Sequence, residues 1–387
     1  MNGFEYLNPA RVIFGDKPYE GIEKFLRETG VTSIMMIHTR SAVRLGIYDE
    51  IEALCKKLGI AFVSNGDVES NPKIELIRQL IEEGRENKID CLLAAGGGSV
   101  IDTAKAVAIG IPYDGDVWDF YEYTAEPEEA LPIIAVSTVP SSGSETSTAS
   151  IVSNGLVKAG VEYEMIVPKL AVLNPKFTMT LPARMSACGI SDILSHLMER
   201  YFTNTEHVDT TDYMIVGAAK ALMLNGERVM KDLSDYDARS EVQWLASIAH
   251  NSSLETGRES DWASHRIEHE LSGQYGINHG EGMAVIMLAY LKYVAVHHPK
   301  KTAQLAHQLF GVEYGEYTEE GMTLKMVEYL QHFYRDILGL RTTLSEMDID
   351  DTHFEEMAMR ATGGNGTVGH YYPLDKDKFI EVLKLAL

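Results

Sequence analysis

The chain has 387 residues, more than one ordinary hydrophobic core accommodates and about right for two domains. Hydrophobic residues at 45% and charged residues at 24% mark a globular chain, not a disordered one. The net charge of −23, from 34 basic and 57 acidic residues, excludes nucleic acid and anionic membrane surfaces as partners, because both would be repelled by the summed field.

The first half alternates short apolar runs with amphipathic stretches. Val12–Phe14, Ser33–His38, Ala61–Val63, Cys91–Ala95 and a run within Leu131–Val139 read as buried strands. Between them Tyr19–Thr29, Ala42–Leu58 and Pro72–Asn87 carry apolar residues at helical spacing. Asn71 followed by Pro72 reads as an N-cap with proline at the first helical position. Strands alternating with helices predict a parallel, doubly wound sheet. Beyond Leu181-Pro182 strand signals stop, and long helical patterns follow, among them Tyr213–Leu224, Val242–Ser252 and Gly282–Val296. The expected division is therefore an α/β domain over 1–181 and an all-α domain over 182–387. Gly363-Gly-Asn-Gly366 reads as a turn, and no repeat is present.

The three cysteines, Cys55, Cys91 and Cys188, are far apart and without a CxxC pair, so neither a disulfide framework nor a thiolate zinc site is expected. The N-terminus has no basic stretch followed by an apolar one, and no apolar run reaches spanning length. The expected setting is reducing and cytoplasmic.

Three segments carry chemistry. Cys91–Ala95 runs into Gly96-Gly97-Gly98-Ser99, and Val100-Ile-Asp102-Thr-Ala-Lys105 then reads as helix. A strand, a glycine turn and a helix N-terminus present free N–H groups and the positive end of the helix dipole to an anion. A tight turn without ligand is the alternative, but the strand-to-helix context favours phosphate. The GxGxxG fingerprint of an ordinary Rossmann turn is absent. The second segment, Val136–Thr146, is dense in hydroxyls that could contact phosphate and ribose; taken alone it reads as a solvated Ser/Thr turn.

The third segment is a set of metal-ligating types. Asp192 and His196 are four residues apart and share one helix face. His265 and His269 repeat that spacing, and His279 follows in a glycine-rich turn. With 13 histidines in the chain, any one of them is more often a core or surface residue. Together, and with a dinucleotide-type turn in the same chain, one carboxylate and three imidazoles point to a divalent first-row metal beside a nicotinamide. An HExxH glutamate is missing, which argues against a zincin protease.

These motifs resemble, in order and over nearly the whole chain, those of the iron-containing (group III) alcohol dehydrogenase family. Gly96–Lys105 resembles its GGGSxxDxAK signature, Pro140–Glu145 a second one, and the Asp192/His196 and His265/His269/His279 sets its metal signatures. Tyr113–Phe120 and Asp261–His265 look like the NADPH-linked butanol dehydrogenase and aldehyde reductase branch. The resemblance implies a Rossmann-like N-terminal domain with a parallel sheet and a helical C-terminal domain, the scaffold shared with dehydroquinate synthases. It implies that Asp192, His196, His265 and His279 bind Fe²⁺ or Zn²⁺, with His269 a nearby proton-relay group and not a ligand. Gly97, Gly98, Ser99 and Asp102 would hold pyrophosphate and the nicotinamide side, Thr138 and Ser142 would add contacts, and Lys158 would reach the nicotinamide ribose.

Departures exist. Ser141-Ser142 stands where Gly-Thr or Ala-Thr is usual, and Asn174 where Asp is frequent. The turn His38-Thr39-Arg40-Ser41 lacks both the acid of NAD-preferring members and the glycines of the NADPH branch. An acid would bond the ribose 2′-hydroxyl and repel a 2′-phosphate, whereas Arg40 can pair with that phosphate. Thr39 and Arg40 therefore favour NADP(H) over NAD(H). The expected activity interconverts a primary alcohol and its aldehyde, with a homodimer as the expected assembly. Trp118 and Trp262 are candidates for a substrate pocket or, equally, ordinary core aromatics. A metal-dependent lyase on the same scaffold is the rival reading. It needs a Lys/Arg cluster for an anionic substrate, and none stands beside the histidines. A protein that binds the cofactor without turnover is a third.

Overall fold

The computed structural model describes residues 1–387. Eight strands occur: β1 (Arg11–Phe14), β2 (Ser33–His38), β3 (Ala61–Asn65), β4 (Cys91–Gly96), β5 (Ile133–Ser137), β6 (Ala149–Asn154), β7 (Val157–Glu162) and β8 (Leu170–Leu173). Six of them form a sheet of order β1-β8-β5-β4-β2-β3 in which every pairing is parallel. β6 and β7 form a separate antiparallel hairpin.

The sheet follows from its side chains. β2 and β4 are buried along their whole length, the pattern of strands covered on both faces. Along β2, Met35 and Ile37 enter one core and Ile34 and Met36 the other, as the two-residue period of a strand requires. Each fully buried side chain of this kind contributes roughly 1.5–3 kcal/mol. The expected helix 42–58 is two helices, Arg40–Arg44 and Ile47–Leu58, separated by Gly46 in the left-handed conformation. The helix expected from Pro72 begins at Ile74, with Lys73 at its N-cap, and Asn71 instead takes a positive φ of 60° in the preceding turn.

The chain forms two compact units, Leu7–Thr180 and Leu181–Leu387, the second completed by Met1–Tyr6. The first six residues thus belong with the helices. The Met1 amino group donates to the Glu206 carbonyl at 2.6 Å, and the Asn2 amide to that of Gly257 at 2.9 Å. The helical unit contains Ala183–Tyr201, Asp209–Lys231, Tyr236–His250, Ala263–Tyr275, His279–His297, Lys300–Phe310, Glu319–His332, Phe354–Thr362 and Lys376–Leu385. Ala183–Tyr201 and His279–His297 are buried almost all round, which makes them its central helices. They touch backbone to backbone at Gly280, where a Cβ would lie 2.6 Å from the carbonyl carbon of Cys188. No helix is long and apolar enough to cross a membrane.

Candidate metal centre and cofactor turn

Helix Ala183–Tyr201 is sunk in an apolar core, yet it carries Asp192, His196, Glu199 and Arg200, all with 3% or less of their surface exposed. Polar groups so placed need partners. Asp192 supplies the centre of a cluster. Its Oδ1 lies 3.3 Å from Nε2 of His279, 3.8 Å from Nε2 of His265 and 3.9 Å from Nδ1 of His196. His265 comes from the first turn of Ala263–Tyr275, and His279 opens His279–His297, where Asn278 accepts from the Gly280 amide as N-cap. Burial opposes the Asp192 charge, but the facing imidazoles outweigh it and hold the carboxyl well below the usual carboxylate range. Burial likewise holds His196 well below the ordinary imidazole value, which keeps it neutral and able to donate a lone pair.

The donor set fits a divalent first-row cation. Nε2 of His265 and Nδ1 of His196 are buried and have no hydrogen-bond partner, although each faces the carboxylate. Around a tetrahedral ion with bonds of about 2.0–2.1 Å, donors are spaced by about 3.4 Å, close to the separations seen here. Donor atoms of Asp192, His265 and His279 lie within 4.8 Å of one another. His196 lies outside that group of three but faces Asp192 and stacks on His265, with ring centroids 4.6 Å apart.

His269 is half-buried, with its ring centroid 5.6 Å from that of His279 and 6.4 Å from that of His265. Its donor atom and those of Glu268 and His279 form a second group within 4.8 Å of one another, which shares His279 with the first. Trp262 holds the N-cap of its helix at a φ of 68°, a strained region for a large side chain. That conformation sets the indole against His265, His250 and His196 at 5.2, 5.8 and 6.0 Å, with the Arg200 guanidinium 4.5 Å over its ring. Trp118 lies elsewhere, buried in the core of the sheet unit and stacked on Tyr121.

Several residues of this centre escape a reading of the sequence. Glu199 pairs with Nδ1 of His265, and Glu268 with Nδ1 of His279. His250 stacks on His196 at 4.6 Å. Asp261 accepts from the backbone amides of His370 and Tyr371 at 2.8 and 3.0 Å, tying the C-terminal loop to the head of the histidine helix. Burial and the neighbouring Glu199 charge push the Asp261 carboxyl up to about 7. Register places Glu199 two helical turns from Asp192 and Glu268 one turn from His265, but helical spacing alone does not separate them from the other acidic residues.

In the sheet unit, β4 ends at Gly96, Gly97 is the N-cap of the helix Gly98–Gly110, and Ser99 stands in that helix's first turn. Gly97, Gly98 and Ser99 are half-buried at the carboxyl end of a central parallel strand, the usual place for a ligand in such sheets. Ser142 packs directly on Gly98, and Thr138 follows β5 with a buried hydroxyl that has no hydrogen-bond partner. Thr39 stands at the N-cap position of the short helix that begins with the exposed Arg40 without bonding its backbone amides through the side chain, and its hydroxyl pairs with that of Ser41 at 2.6 Å. Lys158 lies on β7, near enough for its charge to act on Asp102.

Asp102 is turned inward. Its carboxylate accepts from the Ser144 hydroxyl at 2.6 Å and the Ile151 amide at 3.3 Å. Lys105, one turn on, is wholly buried and donates to the carbonyls of Ser147 and Ala149, both at 2.7 Å. Helix Gly98–Gly110 thereby fastens the hydroxyl-rich segment 144–151.

The model of the family described as iron-containing alcohol dehydrogenase matches residues 9–175, and that of its C-terminal domain matches 186–387. The chain is 32% identical over 391 residues to the NADH-dependent butanol dehydrogenase A of Clostridium acetobutylicum, covering 99% of each. It is 28% identical over 378 residues to the NADPH-dependent aldehyde reductase YqhD of Escherichia coli, covering 94% of this chain and 96% of that one. The crystal structure of NADH-dependent butanol dehydrogenase A from Thermotoga maritima superposes with a TM-score of 0.94 at 30% identity, over 100% of this chain and 99% of that one.

Proposed function

We propose that this chain, which belongs to the iron-containing alcohol dehydrogenase family, interconverts a short-chain primary alcohol and its aldehyde by hydride transfer with NADP(H). It is an alcohol or aldehyde oxidoreductase by family membership. The buried Asp192 carboxylate facing three imidazoles is the observation that carries the reading.

In this reading Asp192, His196, His265 and His279 hold Fe²⁺ or Zn²⁺. Such an ion, when bound, supplies a Lewis acid that makes an alcohol more acidic and a carbonyl more electrophilic. His269, half-buried beside the cluster, carries the proton between the site and water. Trp262, whose indole lines the histidines, limits the substrate on that side. Gly97, Gly98 and Ser99 cradle the pyrophosphate at the helix N-terminus, with Thr138, Ser142 and Lys158 as further contacts. Asp102 acts by holding the segment that carries Ser144.

The choice of NADP(H) rests on Arg40, an exposed cation at the head of a helix that follows β2, with no acid in the turn. A relative at 32% identity is named NADH-dependent and one at 28% NADPH-dependent, so NAD(H) is the second reading. Three free, buried cysteines suit a reducing cytoplasm. A homodimer accompanies the reading, supported by the exposed Phe4, Tyr6 and Leu7, and light scattering would check it.

The test is to strip the protein of metal, reload it with Fe²⁺ anaerobically or with Zn²⁺, and follow NADPH and NADH oxidation with butanal. Metal-dependent turnover is expected, faster with NADPH, and Arg40→Ala should raise the KM for NADPH while leaving that for NADH unchanged. Absence of turnover with either cofactor and either metal would overturn the reading.

A further inference from the structure

We infer that Glu199 and Glu268 are positioning residues for the metal: two buried carboxylates that fix the tautomer and tilt of His265 and His279 so that both Nε2 atoms face Asp192. This rests on the ligand assignment proposed above.

Both glutamates are completely buried, and each binds the Nδ1 of one histidine. A carboxylate only accepts, so the imidazole proton sits on Nδ1 and the lone pair on Nε2. Those Nε2 atoms are the ones 3.8 and 3.3 Å from Asp192. A carboxylate behind a ligating imidazole also raises its basicity.

Each glutamate is itself held. Glu199 reaches from Ala183–Tyr201 to the head of the next ligand helix. There its Oε1 accepts from the backbone amides of Ser264 at 2.6 Å and His265 at 3.3 Å. These are orphan donors of a helix first turn, where the dipole also favours an anion. The same side chain therefore caps the helix and aims the ring that the helix carries. Glu268 accepts from the Ser272 hydroxyl as well as from His279. Its space exists because residue 282 is glycine: a Cβ there would lie 2.6 Å from the Glu268 Oε1 and 2.8 Å from its Cγ.

His196 has no such clamp. Its Nδ1 faces Asp192 at 3.9 Å without a hydrogen bond, and its ring stacks between those of His250 and His265, each at 4.6 Å. The three imidazoles are thus unequal, two braced and one held by ring contacts.

Charge leads to the same assignment. Asp192, Glu199 and Glu268 gather three carboxylates, each with 1% or less of its surface exposed. Buried anions are costly unless compensated. Here the imidazoles face all three, and a divalent cation held among them would add to that compensation.

The experiment measures Co²⁺ affinity of the metal-stripped full chain by competition with a chromophoric chelator, together with the visible spectrum of bound Co²⁺. Glu199→Gln, Glu268→Gln, Glu268→Leu and Gly282→Ala are compared with His265→Ala and His279→Ala. A loss of about 10–100-fold in affinity is expected for Glu268→Leu, the usual size for such outer partners, with a smaller loss for Glu268→Gln, which keeps an acceptor. Gly282→Ala should behave like Glu268→Leu, and the spectrum should change in both. Glu199→Gln should lose affinity too; should it not fold, the Glu268 and Gly282 variants carry the test. Affinity within threefold of the parent and an unchanged spectrum in Glu268→Leu and Gly282→Ala, while His265→Ala and His279→Ala abolish binding, would overturn the inference and leave the ligand set standing. Unimpaired binding in both histidine variants would remove the ligand set and the inference with it.

Discussion

Replacing Gly280 by alanine should strike the proposed metal centre through the backbone. The added Cβ would lie 2.6 Å from the carbonyl carbon of Cys188 and 3.0 Å from its Cα, and it would overlap the carbonyl oxygen. Carbon contacts relax near 3.5–4.0 Å, so the two central helices must part by about 1 Å at this crossing. The obstacle is helix backbone, which has no rotamer through which to escape. Overpacking of this kind costs about 1–3 kcal/mol, and the alanine returns at most about 1 kcal/mol of helix propensity. The larger effect falls on His279, the residue before, and Asp192, one turn beyond Cys188, which face each other at 3.3 Å. Metal sites tolerate about 0.2 Å in their distances, so a shift of 1 Å should lower affinity by at least tenfold. Urea unfolding of the metal-free protein gives the first quantity, and chelator competition gives the second. A variant with parental unfolding free energy and metal affinity within threefold would refute the reasoning.

Asp261→Asn should change the pH dependence of stability. The Asp261 carboxyl, pushed up to about 7 by burial and Glu199, binds its proton more tightly folded than unfolded. It therefore subtracts stability progressively as pH rises from about 4 to 7, and the penalty is complete above 7. The asparagine can still accept from the His370 and Tyr371 amides. Melting curves at pH 4 and pH 8 should show the variant gaining on the parent only at the higher pH; parallel curves would contradict this. Asp102→Asn removes the counter-charge of the buried Lys105 and weakens the bond to Ser144, so about 2–4 kcal/mol of stability should be lost, with a raised KM for the nicotinamide cofactor. Equal stability in urea would speak against the inward-facing role. Metal at a thousandfold its Kd should stabilise the parent by about 4 kcal/mol over the stripped form, and His265→Ala should abolish both that rise and the activity. Scanning calorimetry with and without Zn²⁺ checks it.

The α/β half was legible because its strands are strongly apolar and separated by amphipathic runs. β8 was not, since Leu170–Leu173 is only four residues and such a run is as compatible with helix as with strand. The hairpin β6–β7 left a signal in Asn154-Gly155, with Gly155 at a φ of 58°, but its strands alternate too weakly to stand out. Asn71 has the chemistry of a cap and serves in a turn, because the helix starts only where Ile74 reaches the core. Asp192, His196, His265 and His279, the ligands proposed above, stand out by spacing and motif, and the fold gathers their side chains. Glu199 and Glu268 do not stand out, being two among 57 acidic residues. Only packing distinguishes a carboxylate wedged behind an imidazole from one in solvent.

The first six residues group with the helical unit, so the sheet unit, Leu7–Thr180, is an insertion between two parts of that unit and not a segment appended to it. The chain therefore passes between the units twice, at Tyr6–Leu7 and at Thr180–Leu181. A single cut after Thr180 would leave the fragment that carries the sheet still bound to the helices through its first residues, where the Asn2 amide donates to the Gly257 carbonyl at 2.9 Å.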